Sequence, residues 1–231
     1  MTRASPPYPR HSLVWVRPDA WRAVMASRPD LAALPRVEHW ALQGYPLIVR
    51  RYGHEDAQAT DDRVPLGLPL PPADGKQRLF LSMSRADIVT HGPCPLLQDV
   101  LDVAPAAWLP SLRRVLHCAQ AHAAEVRVFG SLAWQHLTGL PYLSPHSDVD
   151  LLWRLTANSK QIRQWLDELA MLDAAAPMRL DGELLRADGA GVNWRELQGG
   201  AATVLLKAPH EARLLTPMEF FRTGHDCAAI A

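Results

Sequence analysis

Two short segments hold residue types that could do chemistry on a phosphate. They are Phe129-Gly130-Ser131 and, after an intervening segment of sixteen residues, Asp148-Val149-Asp150-Leu151-Leu152-Trp153. The second segment alternates in the period of a strand, so Asp148 and Asp150 share one side while Val149, Leu151 and Trp153 share the other. Two carboxylates one strand repeat apart repel each other and are costly to bury. They suit divalent cations, which take oxygen ligands and bridge to substrate phosphates. Alone, Asp-x-Asp reads as a solvated strand edge; the preceding Gly-Ser and a helix after it turn the reading toward metal. Gly130 lets the backbone come close to a phosphate, and Ser131 offers a hydroxyl and an N–H at the start of a helix predicted over Leu132 to Thr138. The same geometry would serve Ser131 as a helix cap.

The elements around these segments must form a sheet that presents them. Leu112, Val115, Leu116, Ala119 and Ala123 recur at helical spacing, which predicts a helix over Pro110 to Ala124. A strand at Val126 to Phe129 leads into Gly130, and a second runs from Val149 to Leu155. Ile162, Trp165, Leu166 and Leu169 form one stripe of a helix from Ser159 to Leu172, capped by Asn158 or Ser159. Strands are predicted at Met178 to Leu184, Gly191 to Leu197 and Thr203 to Lys207. Thr216-Pro217-Met218-Glu219 spells a capped last helix. In the first hundred residues, Ser12 to Val16, Leu47 to Arg51 and Leu79 to Met83 read as strands, and Pro18 opens a helix through Trp21 and Met25. The proline-rich run from Val64 to Pro72 reads as a loop or extended connector, because each proline removes a ladder donor. The domain boundary is placed near residue 105.

Composition narrows the function classes. The 231 residues carry 24 Lys+Arg and 24 Asp+Glu, which excludes a protein that holds nucleic acid by a broad basic field. The neutrality is a cancellation: residues 1–115 have 14 basic and 11 acidic groups, residues 116–231 have 10 and 13. Cys94, Cys118 and Cys227 show no spacing among themselves or with histidine that would hold zinc, and they read as thiols of a reducing compartment. The ten histidines, His54 and His146 among them, have no metal spacing either, although His146 stands next to the carboxylates. Trp134 and Trp153 read as core. No stretch is apolar enough to span a membrane, so a cytoplasmic location is expected.

The order strand, Gly-Ser, helix, Asp-x-Asp strand resembles the nucleotidyltransferase superfamily typified by polymerase β. That resemblance implies an α/β (α+β) fold, a mixed sheet with helices, here preceded by a smaller α+β N-terminal domain over 1–105, with the catalytic domain over 106–231. It also implies a third carboxylate on a neighbouring strand: Asp181, or Glu183 as fallback. The loop from Gly139 to Ser147, with Pro141 and Pro145, is longer than in minimal members and reads as a substrate-specific insertion. Lys207 either neutralises a leaving pyrophosphate or snorkels at the surface.

A more specific likeness covers nearly the whole chain. Arg127 to Gln135, Leu137 to Leu143 and Ser147 to Trp153 resemble the malonate decarboxylase holo-acyl-carrier-protein synthases, also called phosphoribosyl-dephospho-CoA transferases. So do His11-Ser12-Leu13-Val14-Trp15, Pro46 to Arg51, Pro65 to Pro69 and Leu180 to Glu183. Where that family often has Leu between the two aspartates, this chain has Val149. The likeness implies triphosphoribosyl-dephospho-CoA as donor, a serine of the apo acyl-carrier subunit of malonate decarboxylase as acceptor, and pyrophosphate as product. It implies Mg2+ on Asp148 and Asp150, with Arg50 toward phosphates; Asp181 joins them as metal ligand from the superfamily pattern, and Gly130, Ser131 and Lys207 stand as phosphate-side candidates from their own chemistry. Arg50 and Arg51 alternate on a strand, so at most one faces a site; their domain would meet the donor's phosphates or an acidic carrier surface. Two other readings stand beside it: a nucleotidyltransferase that uses an NTP on another acceptor, and a non-catalytic module that binds the carrier. No nucleic-acid or membrane partner is expected.

Overall fold

The structure is a computed structural model that describes residues 8–52, 62–154 and 159–225. His54, Leu155, Asn158 and Cys227 lie outside the described residues, as does the side chain of Ser159. The described chain divides into two compact units, 1–94 with 137–142, and 95–136 with 143–231.

In the first unit the chain runs through β1 (Leu13–Val16), α1 (Pro18–Ser27), α2 (Pro29–Ala32), β2 (Leu47–Val49), β3 (Arg63–Pro69), β4 (Arg78–Ser84) and β5 (Ile88–Gly92). The strands form one antiparallel sheet in the order β4-β3-β2-β1-β5. Trp21 and Trp40 are fully buried, and each finds a carbonyl for its indole N–H: Trp21 Nε1 donates to Val37 O at 3.0 Å, Trp40 Nε1 to Pro46 O at 2.8 Å.

The run from Val64 corrects the sequence reading, since it is strand as far as Pro69 and lies inside the sheet. Arg50 N donates to Pro65 O at 3.1 Å, so the polar edge of Pro65 faces β2. By alternation Gly67 and Pro69 face the same way. β2 pairs Ile48 with Gly67 and Val49 with Leu66, so the donors missing at Pro65 and Pro69 fall beyond its ends. Val64, Leu66 and Leu68 keep their N–H groups for β4.

The second unit contains α3 (Leu109–Ala121), β6 (Glu125–Phe129), α4 (Gly130–Thr138), β7 (Val149–Arg154), α5 (Ser159–Ala175) and β8 (Leu180–Leu185). It continues through β9 (Gly191–Asn193), α6 (Trp194–Gln198), β10 (Val204–Lys207), β11 (Ala212–Leu215) and α7 (Pro217–His225). Its mixed sheet has the order β11-β10-β9-β8-β7-β6, in which β7 and β8 run parallel. A parallel pair needs a crossover, and α5 supplies it. The predicted stripe Ile162, Trp165, Leu166 and Leu169 is buried against the sheet face that carries Val149, Leu151 and Trp153, with the Trp153 and Trp165 rings 5.0 Å apart, edge to face.

Most boundaries follow the sequence pattern. α3 stops at Ala121, before Ala123, whose φ is +48°. Gly191 to Leu197 is a second correction: it is strand only to Asn193 and then turns into α6. Asn193 Oδ1 accepts from Arg195 N at 2.9 Å and caps that helix. α7 has the predicted reciprocal cap, with Glu219 N donating to Thr216 Oγ1 at 3.2 Å and Thr216 N to Glu219 Oε2 at 2.7 Å.

One glycine decides whether β7 and β8 can lie together. Gly182 sits at φ +138°, and a Cβ there would fall 1.9 Å from Leu151 O. Gly182→Ala should therefore cost about 3 kcal/mol or more, a fall in Tm of about 10 °C. Gly189→Ala, at φ +80° with nothing within 4 Å, should cost only about 1 kcal/mol. Equal losses in the two thermal melts would show that backbone strain rather than the Leu151 clash sets the cost.

Candidate active site

The carboxylates stand around the junction of β6, α4, β7 and β8. β6 delivers Phe129 opposite Asp150, and the chain turns at once through Gly130, at φ +67°, into α4. A Cβ on residue 130 would lie 1.9 Å from Asp150 Oδ2 and 2.8 Å from its Cγ. The space that glycine leaves is thus occupied by the Asp150 carboxylate. Sequence reasoning reserved that space for a phosphate; in the structure it seats the carboxylate at the start of α4, where the first-turn N–H groups have no intrahelical acceptor. Ser131, the second residue of α4, is half-buried.

Asp148 lies just before β7 and is half-buried, as is Asp150, while Val149 between them is fully buried. Among the described residues Asp148 has no hydrogen-bond or ion-pair partner. A turn holds it in place from the N-terminal side: Ser144 N donates to Ser147 Oγ at 2.9 Å, and Ser147 N to Ser144 O at 3.0 Å. From the other side, Val149 N donates to Arg179 O at 2.9 Å. His146, in the same turn, is exposed.

Asp181 is the register partner of Asp150 across the parallel pair, so the two side chains stand side by side on one sheet face. Asp181 Oδ1 accepts from Gly182 N and from Asn193 Nδ2, both at 2.8 Å, and Oδ2 lies 3.5 Å from Arg179 Nη2. Asn193 therefore does two things, capping α6 and orienting Asp181. Its role was hidden in the sequence by the strand reading of Gly191 to Leu197. Arg195 adds a brace, since its Nη2 donates to Asp173 Oδ1 at 2.6 Å and to Leu180 O at 2.9 Å. Asp173 Oδ1 also accepts from Leu180 N at 2.7 Å.

Glu183 and Lys207 belong to a different arrangement. Glu183 is buried, and Lys207 Nζ pairs with its Oε1 at 3.1 Å. Lys207 lies opposite Gly191, which lies opposite Leu185, so the lysine side chain crosses a position without a side chain to reach β8. The structure thus gives Lys207 the task of neutralising a buried carboxylate. Arg50 is on the first unit, with its guanidinium 5.3 Å from the Phe80 ring centroid and Nη1 donating to Arg51 O at 3.1 Å; Arg51 is exposed. The loop after α4 clusters with the first unit over 137–142, where Tyr142 is buried and donates its hydroxyl to Pro69 O at 2.8 Å. Burial, and then Asp74, push that phenol well above its usual range.

Asp148, Asp150 and Asp181 present oxygen donors only, from adjacent strands on one face, which is the donor chemistry of Mg2+. They do not gather ligand atoms within 4.8 Å of one another, as one other group among the described residues does.

Two family models match consecutive parts of the chain. The phosphoribosyl-dephospho-CoA transferase MdcG N-terminal domain matches residues 9–94, and the corresponding C-terminal domain matches residues 96–218. A phosphoribosyl-dephospho-CoA transferase of Bradyrhizobium diazoefficiens is 42% identical over 211 residues, covering 91% of each chain. One from Xanthomonas euvesicatoria pv. vesicatoria is 42% identical over 92% of this chain and 96% of its own, and one from Pseudomonas putida is 32% identical over 89% and 92%. No solved structure matches.

Two substitutions check the geometry. Gly130→Ala must expel the Asp150 carboxylate while leaving every charge in place. Mn2+ binding to the chelator-treated protein, followed by water-proton relaxation, should weaken about tenfold or more, as in Asp150→Asn; unchanged binding would mean that the seat on Gly130 does not matter to the cation. Lys207→Met removes the ammonium that pairs with buried Glu183 and should destabilise by about 2–3 kcal/mol in urea melts. Adding Glu183→Gln to that variant should recover most of the loss.

Proposed function

We propose, from the premise that this chain belongs to the phosphoribosyl-dephospho-CoA transferase family, a transferase reaction on a carrier protein. The chain moves the phosphoribosyl-dephospho-CoA group from 2′-(5″-triphosphoribosyl)-3′-dephospho-CoA to a serine of the apo acyl-carrier subunit of malonate decarboxylase. The seryl oxygen bonds to the α-phosphorus of the donor, the bond from that phosphorus to the bridging oxygen breaks, and pyrophosphate departs. The serine proton passes to a base or to water.

One observation carries this reading: Asp150, seated on Gly130 where α4 begins, stands in register with Asp181 and two residues from Asp148. Carboxylates and a helix N-terminus side by side suit a polyphosphate that arrives with a cation. Mg2+ on Asp148, Asp150 and Asp181 would supply charge that offsets the phosphate oxygens and makes the serine hydroxyl easier to ionise. The chain's own residues position the reactants. The Ser131 hydroxyl holds a phosphate oxygen beside the seated Asp150, Asn193 keeps Asp181 turned to its neighbour, and the Lys207 ammonium keeps Glu183 out of competition for the cation. Arg50, on the N-terminal unit, serves the donor's phosphates or an acidic carrier surface. The described cysteines, Cys94 and Cys118, are free thiols, which accords with a cytoplasmic location, and no described helix is long and apolar enough to cross a membrane.

Intact-mass spectrometry of the apo carrier, after incubation with donor, Mg2+ and the protein, tests the reading. The carrier serine should gain the phosphoribosyl-dephospho-CoA mass, and plain NTPs should give no adduct. Asp148→Asn and Asp150→Asn should each slow the transfer by about a thousandfold. Full conversion by either variant would sink the proposal, and adducts formed from NTPs would redirect it to another acceptor chemistry.

A further inference from the structure

A second group of ligand-type side chains lies on α3 and α5, the helices of the second unit. Cys118 is on the last turn of α3, His122 follows one turn later at its C-terminal end, and Glu168 is on α5, whose Trp165 packs on Trp153. Trp153 and Asp150 point to opposite faces of β7, so this group belongs to the face away from the carboxylates. His122 Nε2 lies 2.9 Å from Glu168 Oε2, and Cys118 Sγ lies 3.8 Å from the same oxygen. All three ligand atoms fall within 4.8 Å of one another, the one group of three that does so among the described residues. Cysteine spacing hides it, because the third member comes from another helix, 46 residues beyond His122.

We propose that Cys118, His122 and Glu168 form a binding site for a borderline divalent transition metal of the zinc class, which ties α3 to α5. The donor set is sulfur, imidazole nitrogen and carboxylate oxygen, which such ions accept together and Mg2+ does not. A tetrahedral ion with bonds of about 2.0–2.3 Å sets its ligand atoms about 3.3–3.8 Å apart. The Sγ to Oε2 distance already meets that spacing, and the His122 to Glu168 distance has to open by about 0.4 Å as the hydrogen bond gives way to two metal bonds. Water completes the fourth position. Access exists, since the Glu168 side chain is 34% exposed while His122 is 11% exposed. Gln164 Nε2 donates to Glu168 Oε1 at 3.2 Å and so orients the carboxylate from outside, as partners of metal ligands do.

Protons balance as follows. Glu168 is already ionised, its carboxyl held below the usual range first by the His122 hydrogen bond. Without metal, burial and then Glu168 push the Cys118 thiol up to about 12, so sulfur carries its proton. Binding forms the S–metal bond and releases that proton to solvent. Neutral His122, which without metal donates from Nε2 to Glu168, gives up that proton to solvent, takes one on Nδ1, and ligates through Nε2.

Co2+ is the probe, added to the full chain after dialysis against chelator. A thiolate-to-cobalt charge-transfer band should grow in the near ultraviolet, saturate at about one ion per chain, resist excess Mg2+ and vanish on addition of Zn2+. Cys118→Ser, which keeps Cys94 and Cys227, should lose the band. Because a buried serine could unsettle the helix pair, Glu168→Gln provides the second arm. It keeps the shape and a hydrogen bond to His122, should leave the metal-free circular dichroism unchanged, and should weaken Co2+ binding about tenfold or more. No band in the parent protein, a band that persists in Cys118→Ser, or unaltered affinity in Glu168→Gln would reduce the group to a hydrogen-bonded contact and overturn the site.

Discussion

Everything at the carboxylate end of the second unit depends on one contact, the Asp150 carboxylate resting in the space that Gly130 leaves open. Any side chain at residue 130 would fill that space, and any residue but glycine would be strained at its φ of +67°. The same residue ends β6 and starts α4, so the contact fixes three things together: where the strand stops, which way the helix leaves and where the carboxylate points. A negative group held at a helix N-terminus is electrostatically favoured there, which offsets part of the cost of half-burying it. The fold thereby keeps the Asp150 charge near its core.

The parallel pairing of β7 and β8 extends this arrangement sideways. Parallel strands bring Asp150 and Asp181 into register only because α5 returns the chain to the same end of the sheet. The end of that crossover is closely braced: Asp173 on α5 accepts from the first N–H of β8 and from Arg195 of α6, and Arg195 also bonds Leu180 O. A slip of one residue would send Asp181 to the buried face and Leu180 to the carboxylate face, so register and chemistry are specified by the same hydrogen bonds. Gly182 allows the close approach on one side of Asp181, and Asn193 orients it on the other.

The legible parts of the sequence were those where one local rule acts alone. Period-two alternation around Asp148 and Asp150, the helical stripe of α5 and the Thr216 to Glu219 cap are all local, and all stand in the structure. What misled was local evidence overruled by a neighbour. Pro65 and Pro69 argue against an interior strand, yet β2 is short enough that their missing donors face no ladder partner. Gly191 to Leu197 has strand character throughout, but Asn193 can cap a helix and Asp181 holds its amide. The Lys207–Glu183 pair could not be read at all, because it depends on two strand registers meeting across Gly191.

The two sheet faces also differ in donor chemistry. On one face stand Asp150 and Asp181, hard oxygen donors of the kind that suit Mg2+. Behind the other face, sulfur and imidazole join a single carboxylate beside a packed core, a donor set that prefers a slower, softer ion. For the proposed Mg2+-dependent transfer this separation would be useful, since a tightly held ion among Asp148, Asp150 and Asp181 would block them. β7 keeps the sets apart by the simplest means available to a strand: Asp150 and Trp153 differ in parity, so the residue proposed to meet phosphate and the residue that anchors α5 can never share a face.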